Sequence, residues 1–203
     1  MKIICVGRNY ADHAKELGNA IPDEPVLFMK PKSALLQSHT PFYYPEFTNE
    51  LHYEAELVLR ISKNGKYIPE AQGAHYYNAI SVGIDFTARD LQTELKEKGL
   101  PWEKAKAWDC SAVVGKWFDI KPEMNLRSIN FSMKMNGEEV QRGNSKNMLF
   151  SFNRIISDIS KYFALNIGDL VFTGTPPGVG ECVVGDVLTG YFENEKAFEL
   201  DIK

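Results

Sequence analysis

Five prolines, Pro22, Pro25, Pro31, Pro41 and Pro45, fall within one short stretch and constrain this chain more than any other feature. Proline lacks an amide proton and clashes with the preceding turn, so no helix can run through them. The rest of the sequence keeps returning to extended structure. Residues 54–61 alternate, with Ala55, Leu57, Leu59 and Ile61 on one face and Glu54, Glu56, Val58 and Arg60 on the other. Asn136-Gly137 is the strongest two-residue hairpin signal. Further strands are expected over 2–6, 81–86, 111–118, 128–135, 169–173, 186–192 and 196–202. Helices are expected over 10–17, capped by Asn9 and stopped by Gly18, over 69–78 from Pro69, over 88–98, and over 148–163. The last carries Leu149, Phe152, Ile155, Ile156, Ile159 and Phe163 on one stripe. Strands outnumber helices, and the regular strand–helix alternation of a doubly wound sheet is absent. The expected class is α+β, mostly β, in one domain over 1–203.

Composition narrows the function. Of 203 residues, 44% are hydrophobic and 25% charged, and 23 Lys and Arg against 27 Asp and Glu leave a net charge of −4. Disorder is excluded, and a mildly acidic chain offers no basic footprint for nucleic acid or an anionic membrane. No uncharged apolar run reaches the roughly 18 residues of a membrane span. The apolar run at 3–6 is too short for a signal peptide, so a soluble cytoplasmic protein is expected. Cys5, Cys110 and Cys182 are scattered and odd in number, without metal or redox spacing. They read as buried or half-buried thiols in a reducing compartment.

Chemistry is concentrated in a few places. Glu54 and Glu56 lie on one side of a strand, their Cα atoms roughly 6.5 Å apart, close enough to converge on one cation. The competing reading is a solvated strand face. Asp85, in the apolar run Val82-Gly83-Ile84-Asp85-Phe86, would complete an all-oxygen set suited to Mg²⁺ or Mn²⁺. It could equally cap the next helix or pair with Arg89. His13 and Glu16 are three apart on the first helix, where a carboxylate would raise the basicity of an imidazole; a merely solvated helix face is the alternative. His52 shares the side of Glu54 and Glu56. Lys106 could hold a substrate carboxylate, and nothing local separates it from Lys104. Thr173-Gly174-Thr175-Pro176-Pro177-Gly178-Val179-Gly180 is a glycine-rich loop that matches no phosphate-binding fingerprint.

Together, Val6-Gly7-Arg8-Asn9-Tyr10-Ala11-Asp12-His13, Pro25-Val26-Leu27-Phe28-Met29-Lys30-Pro31, His52-Tyr53-Glu54-Ala55-Glu56-Leu57, Asp85-Phe86-Thr87-Ala88-Arg89-Asp90, Lys98-Gly99-Leu100-Pro101-Trp102 with Lys106, and Thr173-Gly174-Thr175-Pro176 resemble, in order, the fumarylacetoacetate hydrolase family. The likeness is to its short single-domain acylpyruvases and oxaloacetate decarboxylases. It implies a mixed β-sheet roll with peripheral helices, usually a homodimer. It also implies a Mg²⁺ or Mn²⁺ site from Glu54, Glu56 and Asp85, a His13–Glu16 catalytic dyad, and Lys106 as a cation for the substrate, with Arg8 and Thr175 assigned to substrate binding. The expected reaction is cleavage of small 2-keto acids through an enolate, by acylpyruvate hydrolysis or oxaloacetate decarboxylation. A keto–enol tautomerase is the nearest alternative, and a non-catalytic metal-binding scaffold the more distant one.

Overall fold

The computed structural model describes residues 1–203 apart from 13–19 and 38–39. His13, Glu16 and most of the expected helix over 10–17 therefore lie outside the described residues. Among the described residues three sheets form the frame. The largest runs β2 (Val26–Lys30), β1 (Ile3–Gly7), β11 (Leu170–Phe172), β4 (Ala55–Ile61), β5 (Tyr77–Asp85), β7 (Ala112–Val114), with β8 (Phe118–Asp119) also on β5. Only β1 and β11 pair in parallel; the other pairings of this sheet are antiparallel, so the sheet is mixed. A four-stranded antiparallel sheet runs β10 (Glu138–Asn144), β9 (Asn130–Met135), β13 (Val187–Phe192), β14 (Glu195–Asp201). A small sheet joins β12 (Gly180–Glu181), β3 (Leu51–Tyr53) and β6 (Thr87–Ala88).

The large sheet is buried on both faces, and this decides the fate of the paired glutamates. Alternate residues of β1 and β4 enter different cores. Ile4, Val6, Leu57 and Leu59 pack with Phe131, Met133 and Leu188 of the second sheet, while Ile3, Cys5 and Val58 pack with Leu170 and Phe172. Neither face of β4 is left to water, so Glu54 and Glu56 are buried and the solvated-face reading fails. Cys5 and Cys182 are buried and Cys110 half-buried, all free, as expected.

Helices lie at the periphery: α1 (Arg89–Glu97), α2 (Glu103–Lys106) and α3 (Phe152–Tyr162). Two expectations need correction. The segment after Pro69 is a 3₁₀ helix, Glu70–Tyr76, and β5 begins at once behind it. A Cβ on Gly73 would lie 2.8 Å from the Cα of Asn153, so the segment presses its backbone onto α3 and tertiary packing sets its form. The helix expected from 148 begins at Phe152, because the Ser151 hydroxyl accepts the Arg154 amide and caps it there. Leu149 is left outside the helix, and residues 145–147 form a separate 3₁₀ turn. The hairpin at Asn136-Gly137 is as expected, with φ of 54° and 88°, the left-handed pair that a type I′ turn demands.

Candidate metal centre and active site

Three strand ends build the site. Glu54 occupies the junction of β3 and β4, Glu56 is the second residue of β4, and Asp85 is the last of β5. The Asp85 amide donates to the Glu54 carbonyl at 2.9 Å, closing the two strand ends together. One carboxylate oxygen from each of Glu54, Glu56 and Asp85 lies within 4.8 Å of the others, and all three residues are buried. Burial, then the Asp85 and Glu54 charges, push the Glu56 carboxyl well above its ordinary value. Such crowding is what a divalent ion relieves. Asp85 Oδ1 is fully buried yet accepts no hydrogen bond, its contact being the Lys30 ammonium at 2.7 Å. A buried set made of carboxylate oxygens alone fits a hard divalent cation.

Three cations answer two of the carboxylates, Glu54 and Asp85. Lys106 Nζ donates to Glu54 Oε2 and Asp85 Oδ2, both at 2.8 Å, and to Thr87 Oγ1 at 2.5 Å. Burial lowers the affinity of Lys106 for its proton, but Asp85 and Glu54 outweigh it and the pKa is raised. Lys104, by contrast, is exposed, so the helix turn separates two lysines that look alike in sequence. Lys30, at the end of β2, donates to the carbonyls of Phe86, Lys106 and Ser111 and to Ser111 Oγ. The Arg89 guanidinium donates to Glu54 Oε1 at 2.6 Å, to Gln92 Oε1 at 2.5 Å and to His52 Nδ1 at 3.3 Å. The open choice for Asp85 is thereby settled: its partners are Lys30 and Lys106, and Arg89 goes to Glu54. His52 contacts Arg89 and Glu50, and burial followed by the Arg89 charge lowers its pKa.

The glycine-rich loop closes the other side. Gly174 N–H donates to Glu56 Oε2 at 2.7 Å. Gly174 has φ +101°, and a Cβ there would lie 2.7 Å from that of Asn9. Asn9 itself is fully buried; its amide donates to the carbonyls of Phe150 and Thr173 and accepts from Phe150 N–H. Gly174→Ala should therefore destabilise the protein by about 1–3 kcal/mol through backbone strain alone, with the Asn9 clash added, and calorimetry would show the lowered melting point. Gln141 ties this loop to β4: Oε1 accepts the Ala55 amide, between the two glutamates, and Nε2 donates to Thr175 Oγ1 at 2.9 Å and to the Pro176 carbonyl.

A tight cleft opens onto the cluster, lined by Arg8, Phe28, Arg89, Gln92, Lys96, Trp102, Lys106 and Thr175 together with the three carboxylates. The structure thus brings Arg8, Thr175, Lys106, Glu54, Glu56 and Asp85 to one place. Lys30, Gln141, Gln92 and Lys96 were not picked out as site residues by sequence reasoning. Lys30 did leave a signal, a lone charge ending the apolar run Val26-Leu27-Phe28-Met29.

Residues 2–201 match the fumarylacetoacetate (FAA) hydrolase C-terminal family. The chain belongs to this family. It is 39% identical over 201 residues to the mitochondrial oxaloacetate tautomerase FAHD1 of Mus musculus, covering 99% of this chain and 91% of the relative. Fumarylpyruvate hydrolase from Pseudomonas aeruginosa, solved with Mn²⁺ and pyruvate, superimposes with a TM-score of 0.93 at 37% identity, over 100% of this chain and 89% of that one. The 5-carboxymethyl-2-hydroxymuconate delta-isomerase of Mycobacterium smegmatis gives 0.85 at 31% identity, over 99% and 78%. Fumarylacetoacetate hydrolase family membership makes the chain an enzyme of mostly-β fold, as the resemblance implied. No helix among the described residues is long and apolar enough to cross a membrane.

Proposed function

We propose that this protein is a Mg²⁺- or Mn²⁺-dependent enzyme that cleaves small 2-keto acids through an enolate, hydrolysing acylpyruvates to pyruvate and a carboxylic acid and decarboxylating oxaloacetate. The observation that carries it is the buried convergence of Glu54, Glu56 and Asp85 at the floor of a cation-lined cleft. Those three residues would hold the ion, which supplies Lewis acidity toward the oxygens of a 2-keto carboxylate. The oxygen donors suit either metal, and the Pseudomonas relative was solved with Mn²⁺.

The other tasks fall to the chain. Lys106 places a fixed positive charge beside the cluster, and Arg8 adds another at the cleft wall, both offsetting the charge of a bound keto acid. Thr175 Oγ1 accepts a hydrogen bond from Gln141 and donates over a long 3.4 Å to the Pro176 carbonyl, a bond that a substrate oxygen would replace. Phe28 and Trp102, with ring centroids 6.0 Å apart, give the cleft an apolar wall that strengthens these charges by excluding water. Hydrolysis also needs a base. His13, oriented by Glu16, takes a proton from water as the oxygen adds to the distal carbonyl; the C3–C4 bond then breaks, its electrons pass into the enolate, and C3 regains a proton. Decarboxylation reaches the same enolate by loss of CO₂, with no added water.

Oxaloacetate enol–keto tautomerisation is the second reading, favoured by the activity named for the mouse relative. It needs only proton transfer at C3 in the same site. Following acetylpyruvate and oxaloacetate by NMR with Mg²⁺ or Mn²⁺, with and without a chelator, tests both. Metal-dependent release of pyruvate above the protein-free rate supports cleavage. Accelerated enol–keto exchange without cleavage would replace it with the second reading. His13→Ala and Glu16→Ala should each cut acylpyruvate hydrolysis by about 10²- to 10⁴-fold, oxaloacetate decarboxylation less, and non-additively. Equal losses in both reactions would remove the water-activating role.

A cytoplasmic homodimer completes the reading. Three free thiols suit a reducing compartment, and sedimentation of the purified chain would report the dimer.

A further inference from the structure

One buried hydroxyl is left without a partner. Tyr10 is 2% exposed, and its hydroxyl makes no hydrogen bond among the described residues. Asp85 Oδ1 shares that condition, but it has the Lys30 ammonium beside it. A hydroxyl buried without a partner costs its full desolvation, which a phenylalanine in the same place would escape. Buried tyrosines normally find an acceptor, as Tyr77 does in Asn153 Oδ1 at 3.0 Å.

The surrounding structure fixes where the Tyr10 hydroxyl sits. Its backbone forms an antiparallel bridge with Met148, and the Asn9 carbonyl just before it accepts the Leu149 amide at 2.8 Å. Its ring stands edge-on to Phe131 inside the main core, the centroids 6.5 Å apart. Clamped in this way, the side chain cannot turn elsewhere for an acceptor. Glu56 is close at hand. Asn9 lies against Gly174, whose amide donates to Glu56 Oε2. Burial, then the Glu56 charge, raise the Tyr10 pKa, so the hydroxyl keeps its proton as a donor facing an anion. Among the described residues Glu56 accepts one hydrogen bond, from Gly174, which leaves lone pairs for another donor.

We infer that Tyr10 is a positioning residue of the metal site, its hydroxyl donating to the Glu56 carboxylate in the metal-loaded protein. This rests on the metal reading of Glu54, Glu56 and Asp85. Carboxylates that ligate a metal are themselves held by hydrogen bonds, and those partners set how well the ligand is aimed. Coupling of this kind is reciprocal, so the ion in turn stabilises the seat of Tyr10. His13 stands three residues further along the sequence, and the bond thus ties the proposed base to a metal ligand through one short segment.

Tyr10→Phe tests this, because it removes a single oxygen and keeps the ring on Phe131. Mn²⁺ titrated by electron paramagnetic resonance should bind the variant about 10- to 100-fold more weakly than wild type. Calorimetry of the metal-free proteins should show the variant melting no lower than wild type, since no hydrogen bond is lost there. Tyr77→Phe is the control with the opposite pattern. Tyr77 opens β5, whose far end carries Asp85, and its hydroxyl has a partner. That variant should melt lower when metal-free and bind Mn²⁺ as wild type does. Unchanged Mn²⁺ affinity in Tyr10→Phe would overturn the inference. A lowered melting point of metal-free Tyr10→Phe would overturn it too, by making the hydroxyl a structural partner in the metal-free fold. Wild-type protein that takes up no Mn²⁺ would overturn the metal reading itself, a failure visible before any variant is made.

Discussion

Glu56→Ala should reduce metal-dependent turnover to the rate of free Mg²⁺ with substrate. Glu56 is one of three protein donors, and loss of an outer-shell partner alone typically costs a metal site about 10- to 100-fold; loss of a direct donor should exceed that. Glu56→Gln should lose the ion as well, while removing the charge that Asp85 and Glu54 repel. The metal-free Glu56→Gln protein should therefore melt no lower than metal-free wild type, a separation of function from stability. The pH dependence follows. With its folded-state pKa raised above the unfolded value, Glu56 favours the metal-free fold on the acid side, and that contribution is lost as pH rises through the folded pKa. A cation must displace the same proton, so Mn²⁺ affinity should climb over the same interval. Titrating Mn²⁺ by electron paramagnetic resonance across this range checks the sign. Full activity of Glu56→Ala in chelated then Mg²⁺-restored protein would remove Glu56 from the metal set.

Lys106→Met should be the most destabilising single change at the site. Its ammonium makes three hydrogen bonds to buried groups, two of them carboxylates. Removing one partner from a buried charge pair costs about 3–5 kcal/mol, which in a chain of this size lowers the melting point by about 6–20 °C. Saturating Mg²⁺ should recover more stability in this variant than in wild type, since the ion replaces the missing charge beside Glu54 and Asp85. Substrate use should also fall, because the fixed positive charge that offsets that of a bound keto acid is gone. Lys104→Met, an exposed change one turn edge away, should stay within about 0.5 kcal/mol. A matching loss from both lysines would mean that helix stability, not the buried ion pairs, is being measured.

Much of this site was legible because it sits on local periodicity. Period two put Glu54 and Glu56 on one side of an extended segment, and Asp85 stood out as a charge in an apolar strand. What could not be read was the set of long-range partners. Lys30 reaches Asp85 across the gap between β2 and β5, and Gln141 reaches Ala55 from another sheet; no spacing rule connects such positions. The choice between Lys104 and Lys106 was also closed to sequence, since four residues of helix decide which amine is buried. The fold class was legible from proline placement and the Asn136-Gly137 turn. The 3₁₀ segment after Pro69 was not, because its form is set by contact with α3, far along the chain.

The pairing of Glu54 and Asp85 with Lys30, Lys106 and Arg89 has a consequence for how the protein matures. Where acidic ligands have no internal counter-charge, the cation is an obligatory part of the folded state, and chelation unravels the chain. Here Glu54 and Asp85 arrive with their own ammonium or guanidinium partners and Glu56 with the Gly174 amide, so the chain can complete its sheets first and take up its ion afterwards. Assembly and activation become separate events, and the fraction of working enzyme becomes a readout of divalent supply rather than of folding success.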